Sequence, residues 1–448
     1  MSQDIKKSFS EGCLALLRQE LKPAVGCTEP AAIALAVART MEVLQQWTGI
    51  EEAANKLTSL EVELSGNIYK NAYAVTIPGT GRAGLELSAA LGAVLADSKK
   101  ELLLFESLTA EEIAGAQELI AGHKVKVQAV CEAASPFYIH VTAKTAEHAA
   151  ETWTEDNHTN LVKALFDGRC SQPNEERGPG RSGTAKTAAC SLLGREMGEL
   201  VEAIEQIPIE ELAFLEESAI MNRNMAKAEL EHPAGLGLGH RLQELMKHQV
   251  LANDLITKIR IEVAAACDGR MGGLPLPVMS TTGSGNQGIL VSLPIAIVAE
   301  EKSLSKERFL RGLALGNLTT AYVKQHIGKL APICGCAIAA GLGVSAAVAW
   351  MMGGSLAQIE GAARNMMANL AGMICDGAKD GCALKLTSSA CESVLAAFLA
   401  LGGTEVGPQE GIVAQGLKGI VANLVILCQE GMPNLDRTMI GILQKKAV

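Results

Sequence analysis

The chain has 448 residues, enough for two domains, and its 48% hydrophobic against 20% charged residues exclude a disordered protein. Its formal net charge is −10, it has no long basic run, and aromatic residues make up only 3%. These values argue against nucleic-acid binding, which needs basic surfaces and stacking side chains.

Helical and strand patterns are mixed over residues 1–170, which predicts an α+β domain. Apolar residues at helical spacing and alternating apolar residues distinguish the two kinds of element. The predicted helices are 8–21, 29–45, 84–97 and 109–121, and the predicted strands are 60–64, 72–77, 101–105, 124–131 and 136–143.

Residues 171–183 are polar and rich in glycine and proline, which predicts a linker. Strand signals almost vanish over 184–448, where Ala- and Gly-rich helical patterns predict an all-helical domain. The predicted helices there are 195–206, 209–230, 240–266, 304–325, 337–352, 355–374 and 409–428.

Two uncharged stretches, 271–299 and 330–359, exceed the ~20 residues that cross a bilayer. The first contains several prolines and polar amides, and the second is mostly alanine and glycine, so we predict buried core helices and no membrane. Because residues 1–12 contain no apolar signal region, we also predict a cytoplasmic protein, in which disulfides are rare.

Glycine-rich loops supply candidate binding residues. The pattern G-x-G-x-x-G at Gly79–Gly84 follows a predicted strand, as in dinucleotide-binding proteins, but it recurs twice in the chain and is weak on its own. Loop N–H groups that precede a helix can bind a carboxylate, and a solvated turn is the alternative. The candidates are Gly79, Thr80 and Gly81, then Ser284 and Asn286 of a second loop, and Asn67, Lys70 and Asn71 of the preceding segment 65–71.

The twelve cysteines include a C-x-C pair, Cys334 and Cys336, and a C-x₆-C pair, Cys375 and Cys382, about forty residues later. No C-x-x-C pair occurs, which disfavours a zinc ribbon or a ferredoxin-type site. The two pairs could present three thiolates to a [4Fe–4S] cluster with one open iron. The alternatives are a zinc site completed by Cys27 or a histidine, and thiols buried in a small-residue core.

Four segments carry a family resemblance: VGCTEPAAIALA (25–36), SGNIYKNAYAVTIPGTGRAG (65–84), PICGCAIAAGLG (332–343) and NMMANLAGMICDGAKDGCALK (365–385). They resemble the L-cysteine desulfidase family, which is related to the iron–sulfur L-serine dehydratases. The resemblance implies a [4Fe–4S] lyase with an N-terminal substrate-binding domain and a helical catalytic domain. The candidate cluster ligands it implies are Cys334 or Cys336, then Cys375 and Cys382, and Cys27 matches a cysteine that the family links to the cluster or to the active site.

The implied reaction is a β-elimination that converts L-cysteine into pyruvate, ammonia and sulfide. The Ser-Ser-Ser-His motif of the serine dehydratases is missing, so L-serine is the second candidate substrate. Cys27 and Glu29 are the candidate catalytic residues, and a helix start would help Cys27 act as a base by lowering its pKa.

Three other classes of function remain as alternatives at this stage. They are an NAD(P)-dependent oxidoreductase using Gly79–Gly84, a pyridoxal-phosphate lyase, and a helical binding protein without activity. The partner we expect is a small amino acid, with neither nucleic acid nor membrane, and two-fold assemblies are common enough that we expect a homodimer.

Overall fold

The computed structural model describes residues 3–49, 53–130, 135–171, 190–328, 330–432 and 434–446, with side chains from residue 6 onward. The predicted linker, 171–183, lies outside the described residues except for Ser171. An α/β part with a mixed sheet precedes an all-helical part, which confirms the predicted fold class.

The α/β part is built from five helices and nine strands among the described residues. The helices are α1 (Gln3–Glu20), α2 (Thr28–Thr48), α3 (Gly66–Ala72), α4 (Leu85–Leu95) and α5 (Ala110–Ala121). The strands are β1 (Lys22–Val25), β2 (Ser59–Ser65), β3 (Thr76–Ile77), β4 (Arg82–Ala83), β5 (Val125–Val130), β6 (Tyr138–Lys144), β7 (Ala149–Glu155), β8 (Leu161–Phe166) and β9 (Arg169–Cys170).

Six of these strands form one sheet in the order β5-β2-β6-β7-β8-β9. Strand β2 is parallel to β5, and the other neighbours are antiparallel. Side chains alternate between a buried and a partly exposed face along β2, β6 and β7, as a half-buried strand requires. The buried face packs against α2, where the hydroxyls of Thr40 and Thr152 form a 2.6 Å hydrogen bond.

The helical part contains eleven α-helices among the described residues and one short strand. They are α6 (Met197–Gln206), α7 (Glu216–Glu231), α8 (Leu238–Lys247), α9 (Leu255–Met271), β10 (Pro277–Ser280), α10 (Gly285–Glu301), α11 (Lys306–Ile327), α12 (Gly341–Met351), α13 (Leu356–Leu370), α14 (Cys382–Leu401), α15 (Gly416–Ile426) and α16 (Leu435–Gln444). Small residues let these helices approach closely: a Cβ on Gly343 would lie 2.3 Å from the Gly316 carbonyl oxygen.

Each end of the chain packs against the part of the structure that is distant from it in sequence. Strand β1 pairs antiparallel with β10, and α1 buries its apolar face in the core of the helical part. At the other end α16 packs on α3, and its Ile440 belongs to the core of the α/β part. The predicted division into domains 1–170 and 184–448 stays a prediction.

Two predicted strands are wrong. Residues 72–77 end helix α3 and contribute only the two-residue strand β3, because segment 66–72 packs as a helix against α16. Residues 98–103 form a 3₁₀ helix in place of the strand predicted at 101–105, and the Asp97 side chain accepts a hydrogen bond from the Lys99 N–H at its start. The dinucleotide-binding interpretation of Gly79–Gly84 requires that second strand, so it loses its structural basis.

Some predicted helices are divided, and some elements were not predicted. The helix predicted at 240–266 is two helices, α8 and α9, separated near Gln249, whose φ is +60°. Likewise 209–230 begins as a 3₁₀ helix over Ile209–Leu215 before α7. Helices α10, α14 and α16 and strands β7 and β8 were not predicted. Serine and proline interrupt the apolar pattern of α10, and threonine and serine interrupt that of α14.

Among the described residues, only α14 is long and apolar enough to span a membrane. Just over half of the most apolar 18-residue stretch of this helix is buried inside the protein, and the core helix of a water-soluble protein has the same length and composition. This is weak support for a membrane span.

Candidate functional site

A cavity of about 100 Å³ lies between the α/β part and the helical part. Asn71 and His158 line it from the α/β side, and the first turns of α10 and α14 line it from the helical side. Five cysteines share its wall: Cys27, Cys334, Cys336, Cys375 and Cys382. The structure thus brings all four cysteines that were predicted as metal ligands to one cavity, together with Cys27.

Two backbone hydrogen bonds place Cys334 beside Cys375. Ile333 and Ile374 form an isolated antiparallel bridge, and the N–H group of each cysteine donates to a carbonyl of the opposite loop at 2.8 Å. The bridge therefore joins two loops that are about forty residues apart in sequence.

The other two predicted ligands stand at the beginnings of helices. Cys336 starts a π-helical turn, Cys336–Ala340, that continues into α12, and Cys382 is the first residue of α14. Single π turns are rare and recur at functional sites. Gly335 lies so close to Gln287 that a Cβ would be 3.0 Å from its side-chain nitrogen, which fixes the turn against α10.

The clustered thiols influence one another's ionisation. The hydrogen bond from Cys336 lowers the pKa of Cys334 to about 6 and raises the pKa of Cys336. Burial raises the pKa of Cys375 and brings that of Cys382 to about 11. Burial also raises the pKa of Cys267, which lies behind them on α9. Because burial raises the pKa of most of these thiols, thiolates at this site require a positive charge or a metal beside them.

The arrangement of the donors bears on which metal they fit. Among the described residues, no three His, Cys, Asp or Glu side chains are grouped so as to hold a single metal ion. A closed zinc site, with four ligands around one ion, is therefore not preformed. The cysteines instead spread along the wall of a shared cavity, and thiolates are the ligands of iron–sulfur clusters. Cysteine thiolates are ligands of zinc and of iron–sulfur clusters, so the chemistry of the donor set is compatible with a cluster.

Three basic side chains line the same cavity: Arg270, Lys324 and Lys385. Lys385 donates to a backbone carbonyl at 2.9 Å and pairs with Asp376. Burial opposes the ionisation of Asp376, but hydrogen bonds from Lys379 and Lys385 outweigh it and bring the pKa of Asp376 to about 2. Lys385 also lowers the pKa of Cys334 and Cys375, but burial outweighs this effect at Cys375.

Cys27 is held at the beginning of α2 by the glycine before it. Gly26 has φ +66°, and a Cβ there would lie 2.4 Å from Pro78, so no other residue fits this turn. The Cys27 thiol donates to Glu29 Oε2 at 3.0 Å. Burial and the neighbouring Glu29 raise the pKa of Cys27 well above its usual value. The expectation of a lowered pKa at this helix start is therefore wrong, because burial outweighs the helix terminus.

The second glycine loop reaches the cavity, with Ser284 and Asn286 in its wall, and their role in substrate binding stays a prediction. Ser284 caps α10 by accepting a hydrogen bond from a first-turn N–H group. Thr28 Oγ1 donates to the Gly283 carbonyl at 3.2 Å and joins this loop to the start of α2. Arg270 donates to Asn286 Oδ1 at 2.8 Å.

Of the three candidates from segment 65–71, Asn71 lines the cavity, where the Cys375 sulfur is 3.9 Å from its Oδ1 atom. The buried Lys70 side chain points to α16 and pairs with Asp436 at 2.5 Å. The first glycine loop forms the turn of the β3–β4 hairpin. The described wall of the cavity does not include the predicted binding residues Asn67, Lys70, Gly79, Thr80 and Gly81.

Four basic or imidazole side chains of the wall were not predicted as site residues: His158, Arg270, Lys324 and Lys385. Arg270 and Lys324 lie near the C-terminal ends of α9 and α11, which carry several other charged residues, so no local pattern distinguishes these two cations. Lys385 follows Cys382 by one helical turn. His158 lies in the loop after β7 and packs edge-on against Phe137, and no local pattern marks it.

Comparison with known proteins identifies relatives over the whole chain. The family model described as serine dehydratase alpha chain matches residues 99–441. A UPF0597 protein of Clostridium botulinum strain Hall is 36% identical over 449 residues, which cover 100% of both chains. UPF0597 proteins of Desulfatibacillum aliphaticivorans and Clostridioides difficile are 38% and 36% identical, over 96% of this chain and 97% and 98% of theirs.

Proposed function

This chain belongs to the serine dehydratase alpha chain family, and from that premise we propose that it catalyses β-elimination on a small L-amino acid. L-Cysteine is the first candidate substrate, giving pyruvate, ammonia and sulfide, and L-serine is the second. The observation that carries the proposal is one cavity whose wall combines five cysteines with three basic side chains and two polar residues of a helix-capping loop.

We propose that Cys334, Cys375 and Cys382 hold a [4Fe–4S] cluster, with Cys336 as the alternative ligand from the same loop. The family membership and the four cysteines in one cavity wall support this assignment. When bound, such a cluster supplies a Lewis-acidic iron that can polarise a substrate. Lys385, next to Asp376 and the cysteine loops, provides positive charge that stabilises thiolates.

We assign proton transfer to Cys27 and Glu29. The proton on the Cys27 sulfur is directed at Glu29 Oε2, which also accepts a hydrogen bond from Thr28 at 3.1 Å. Because the pKa of Cys27 is raised, this residue is a thiol at neutral pH, and the carboxylate is the member of the pair that can accept the α-proton of a substrate. Glu29→Gln should therefore lower kcat by roughly 10²-fold or more.

His158 is a second potential proton acceptor in the cavity wall. The variant His158→Asn is therefore the comparison for Glu29→Gln. His158→Asn should affect the binding of substrate more than kcat if Glu29 is the base. Loss of kcat in His158→Asn, with kcat retained in Glu29→Gln, would transfer the role to the histidine.

The proposed reaction is tested by anaerobic purification, analysis of iron and acid-labile sulfide, and assays with both amino acids. We expect about four irons per chain, sulfide and pyruvate from L-cysteine, and less pyruvate from L-serine. Cys375→Ser should abolish iron binding and activity. Cys391→Ser is the matched control, because Cys391 is buried in α14 and donates to the Ile256 carbonyl away from the cavity. An active preparation without iron would contradict the proposal.

A further inference from the structure

Arg270 is a buried cation without an anionic partner. Its side chain is 2% exposed, and one guanidinium nitrogen donates to Asn286 Oδ1 at 2.8 Å. Its Nε atom is buried and has no hydrogen-bond acceptor, and among the described side chains no carboxylate lies within 4.0 Å of the guanidinium. A buried guanidinium has five N–H donors and is costly unless an anion neutralises it. The missing anion is therefore expected from outside the chain.

The protein is shaped to admit the guanidinium at this position. A Cβ on Gly285 would lie 2.3 Å from Arg270 Nε, so only glycine leaves room for the side chain. Gly285 is the first residue of α10, a helix of 17 residues. The N–H groups and the dipole at the start of a long helix favour an anion at the same place. The guanidinium and the helix terminus therefore act on one ligand group.

Two other charged side chains of the wall, Lys385 and Glu29, differ from Arg270. Lys385 already has a carboxylate partner, Asp376. Glu29 is the one carboxylate among the described residues that line the cavity, and it carries the charge opposite to Arg270. With Arg270 and Lys324 as cations and Glu29 as an anion, the wall offers a partner to each charge of a zwitterionic amino acid, whereas a simple carboxylic acid would leave Glu29 without a cationic partner.

We propose that Arg270 binds the α-carboxylate of the amino-acid substrate and makes the protein specific for a free carboxylate. This inference rests on the proposed function, because it supplies that reaction's substrate with its anchor. Arginine can form two parallel hydrogen bonds to a carboxylate, and this geometry fixes the orientation of the α-carbon relative to Glu29. Amides and esters of the same amino acid lack the charge that Arg270 requires.

The test measures binding of L-alanine, which has no β leaving group and is not consumed, and of L-alaninamide, which has no carboxylate. Titration calorimetry of the anaerobically purified protein should give L-alaninamide an affinity at least about tenfold lower, as expected for loss of a charge-assisted hydrogen bond. In Arg270→Gln the affinity for L-alanine should fall by about the same factor, while that for L-alaninamide should stay unchanged. The preference for the free carboxylate should therefore disappear.

Two further variants keep the test decisive. Arg270→Lys retains the charge without the two-pronged geometry and should show an intermediate preference, which covers the case in which Arg270→Gln does not fold. Arg260→Lys is the matched control on the same helix, α9, because Arg260 is not in the described wall of the cavity. It should bind both compounds as the unmodified protein does.

The outcomes for Arg270 and for the reaction are distinguishable. L-Alanine binding that depends on Arg270, in a protein that releases neither sulfide nor pyruvate, would support this assignment and contradict the proposed elimination. Elimination from L-cysteine with an unchanged KM in Arg270→Lys and Arg270→Gln would overturn the assignment alone. Equal affinities of the unmodified protein for L-alanine and L-alaninamide, or no binding of L-alanine, would also overturn it.

Discussion

Gly377 packs tightly against the backbone of α3. It lies between Cys375 and Cys382, its φ is +91°, and a Cβ there would be 2.3 Å from the Lys70 carbonyl oxygen. Both the left-handed backbone and the close approach exclude a side chain. The loop that carries two proposed ligands can therefore lie in this position only with glycine at residue 377.

Gly377→Ala should lower the free energy of unfolding by about 1–3 kcal/mol, because the backbone must move or adopt a strained conformation. It should also reduce the iron bound after anaerobic reconstitution. Gly372→Ala is the control in the same loop, since a Cβ there meets nothing within 4 Å. Urea denaturation measures both variants, and equal midpoints for the two would contradict the explanation.

Glu229 is a second residue whose surroundings determine its behaviour. It is fully buried on α7, and burial followed by repulsion from Asp268 raises its pKa from 4.5 to about 7. Burial also raises the pKa of Asp268, to about 6. Between pH 4.5 and 7 the folded protein holds a proton on Glu229 that the unfolded chain has released. Stability from this residue is therefore present at low pH and decreases as the pH rises through that window.

Glu229→Gln should remove this pH dependence, because an amide does not ionise. Above pH 7 we expect the variant to be more stable than the unmodified protein by up to about 3 kcal/mol, the equivalent of the pKa shift. Thermal midpoints measured from pH 5 to 8 test the expectation against Glu231→Gln, an exposed neighbour on the same helix. If Glu229→Gln follows the same pH profile as Glu231→Gln, the shifted pKa does not affect stability.

Residues of the cavity could be predicted from the sequence only where a local motif, such as a glycine close to a cysteine, indicated a binding loop. Glycines beside Cys334 and Cys375 indicated loops that turn to present a sulfur, and both cysteines line the cavity. Arg270 and His158 were not found, because their role depends on side chains brought near by the fold. At Gly79 the local pattern was misleading. It predicted a binding residue, but Gly79 lies in the turn of the β3–β4 hairpin.

At the scale of elements, the buried ion pair between Lys70 and Asp436 joins α3 to α16. The two side chains are 2.5 Å apart, and the Lys70 side chain is fully buried while that of Asp436 is 25% exposed. Removing one partner of a buried pair leaves an uncompensated charge, which costs more than the pair itself contributes. An unpaired charge should therefore lower the free energy of unfolding more at Lys70, which is fully buried, than at Asp436, which is partly exposed.

Asp436→Asn should therefore destabilise the protein by about 3 kcal/mol, and Lys70→Met by less, because Asp436 can reach water. The double variant should recover much of the loss, since neither charge remains. A double-mutant cycle by urea denaturation gives the coupling between the two side chains. Additive effects of the two substitutions would show that the pair does not join the helices.

Elements with long, regular apolar patterns were predictable from sequence, and elements fixed by distant contacts were not. Helices α2 and α13 have strong periodicity and were found close to their observed bounds. Helix α3 has seven residues and depends on α16, which is over 360 residues later in the chain. No local window contains that information.

At the scale of the whole molecule, the N-terminal helix α1 belongs to the core of the helical part, and the C-terminal helix α16 contributes Ile440 to the core of the α/β part. Helix α1 precedes the α/β part in sequence but packs against α6 and α11 of the helical part. Helix α16 follows the helical part but packs against α3. The cavity lies where the two parts meet, so its wall depends on both. We therefore expect the two parts to unfold together.

Leu17→Ala tests this cooperation, because Leu17 on α1 is 2% exposed and belongs to the core of the helical part. The probe is the fluorescence of Trp350 on α12, in a chain that carries Trp47→Phe and Trp153→Phe. Loss of the buried side chain should lower the unfolding free energy seen by Trp350 by about 2–5 kcal/mol. Glu11→Ala, exposed on the same helix, should leave that transition in place. A Trp350 transition that Leu17→Ala does not move would mean that α1 contributes nothing to the stability of the helical part, and the packing of α1 would then not couple the two parts.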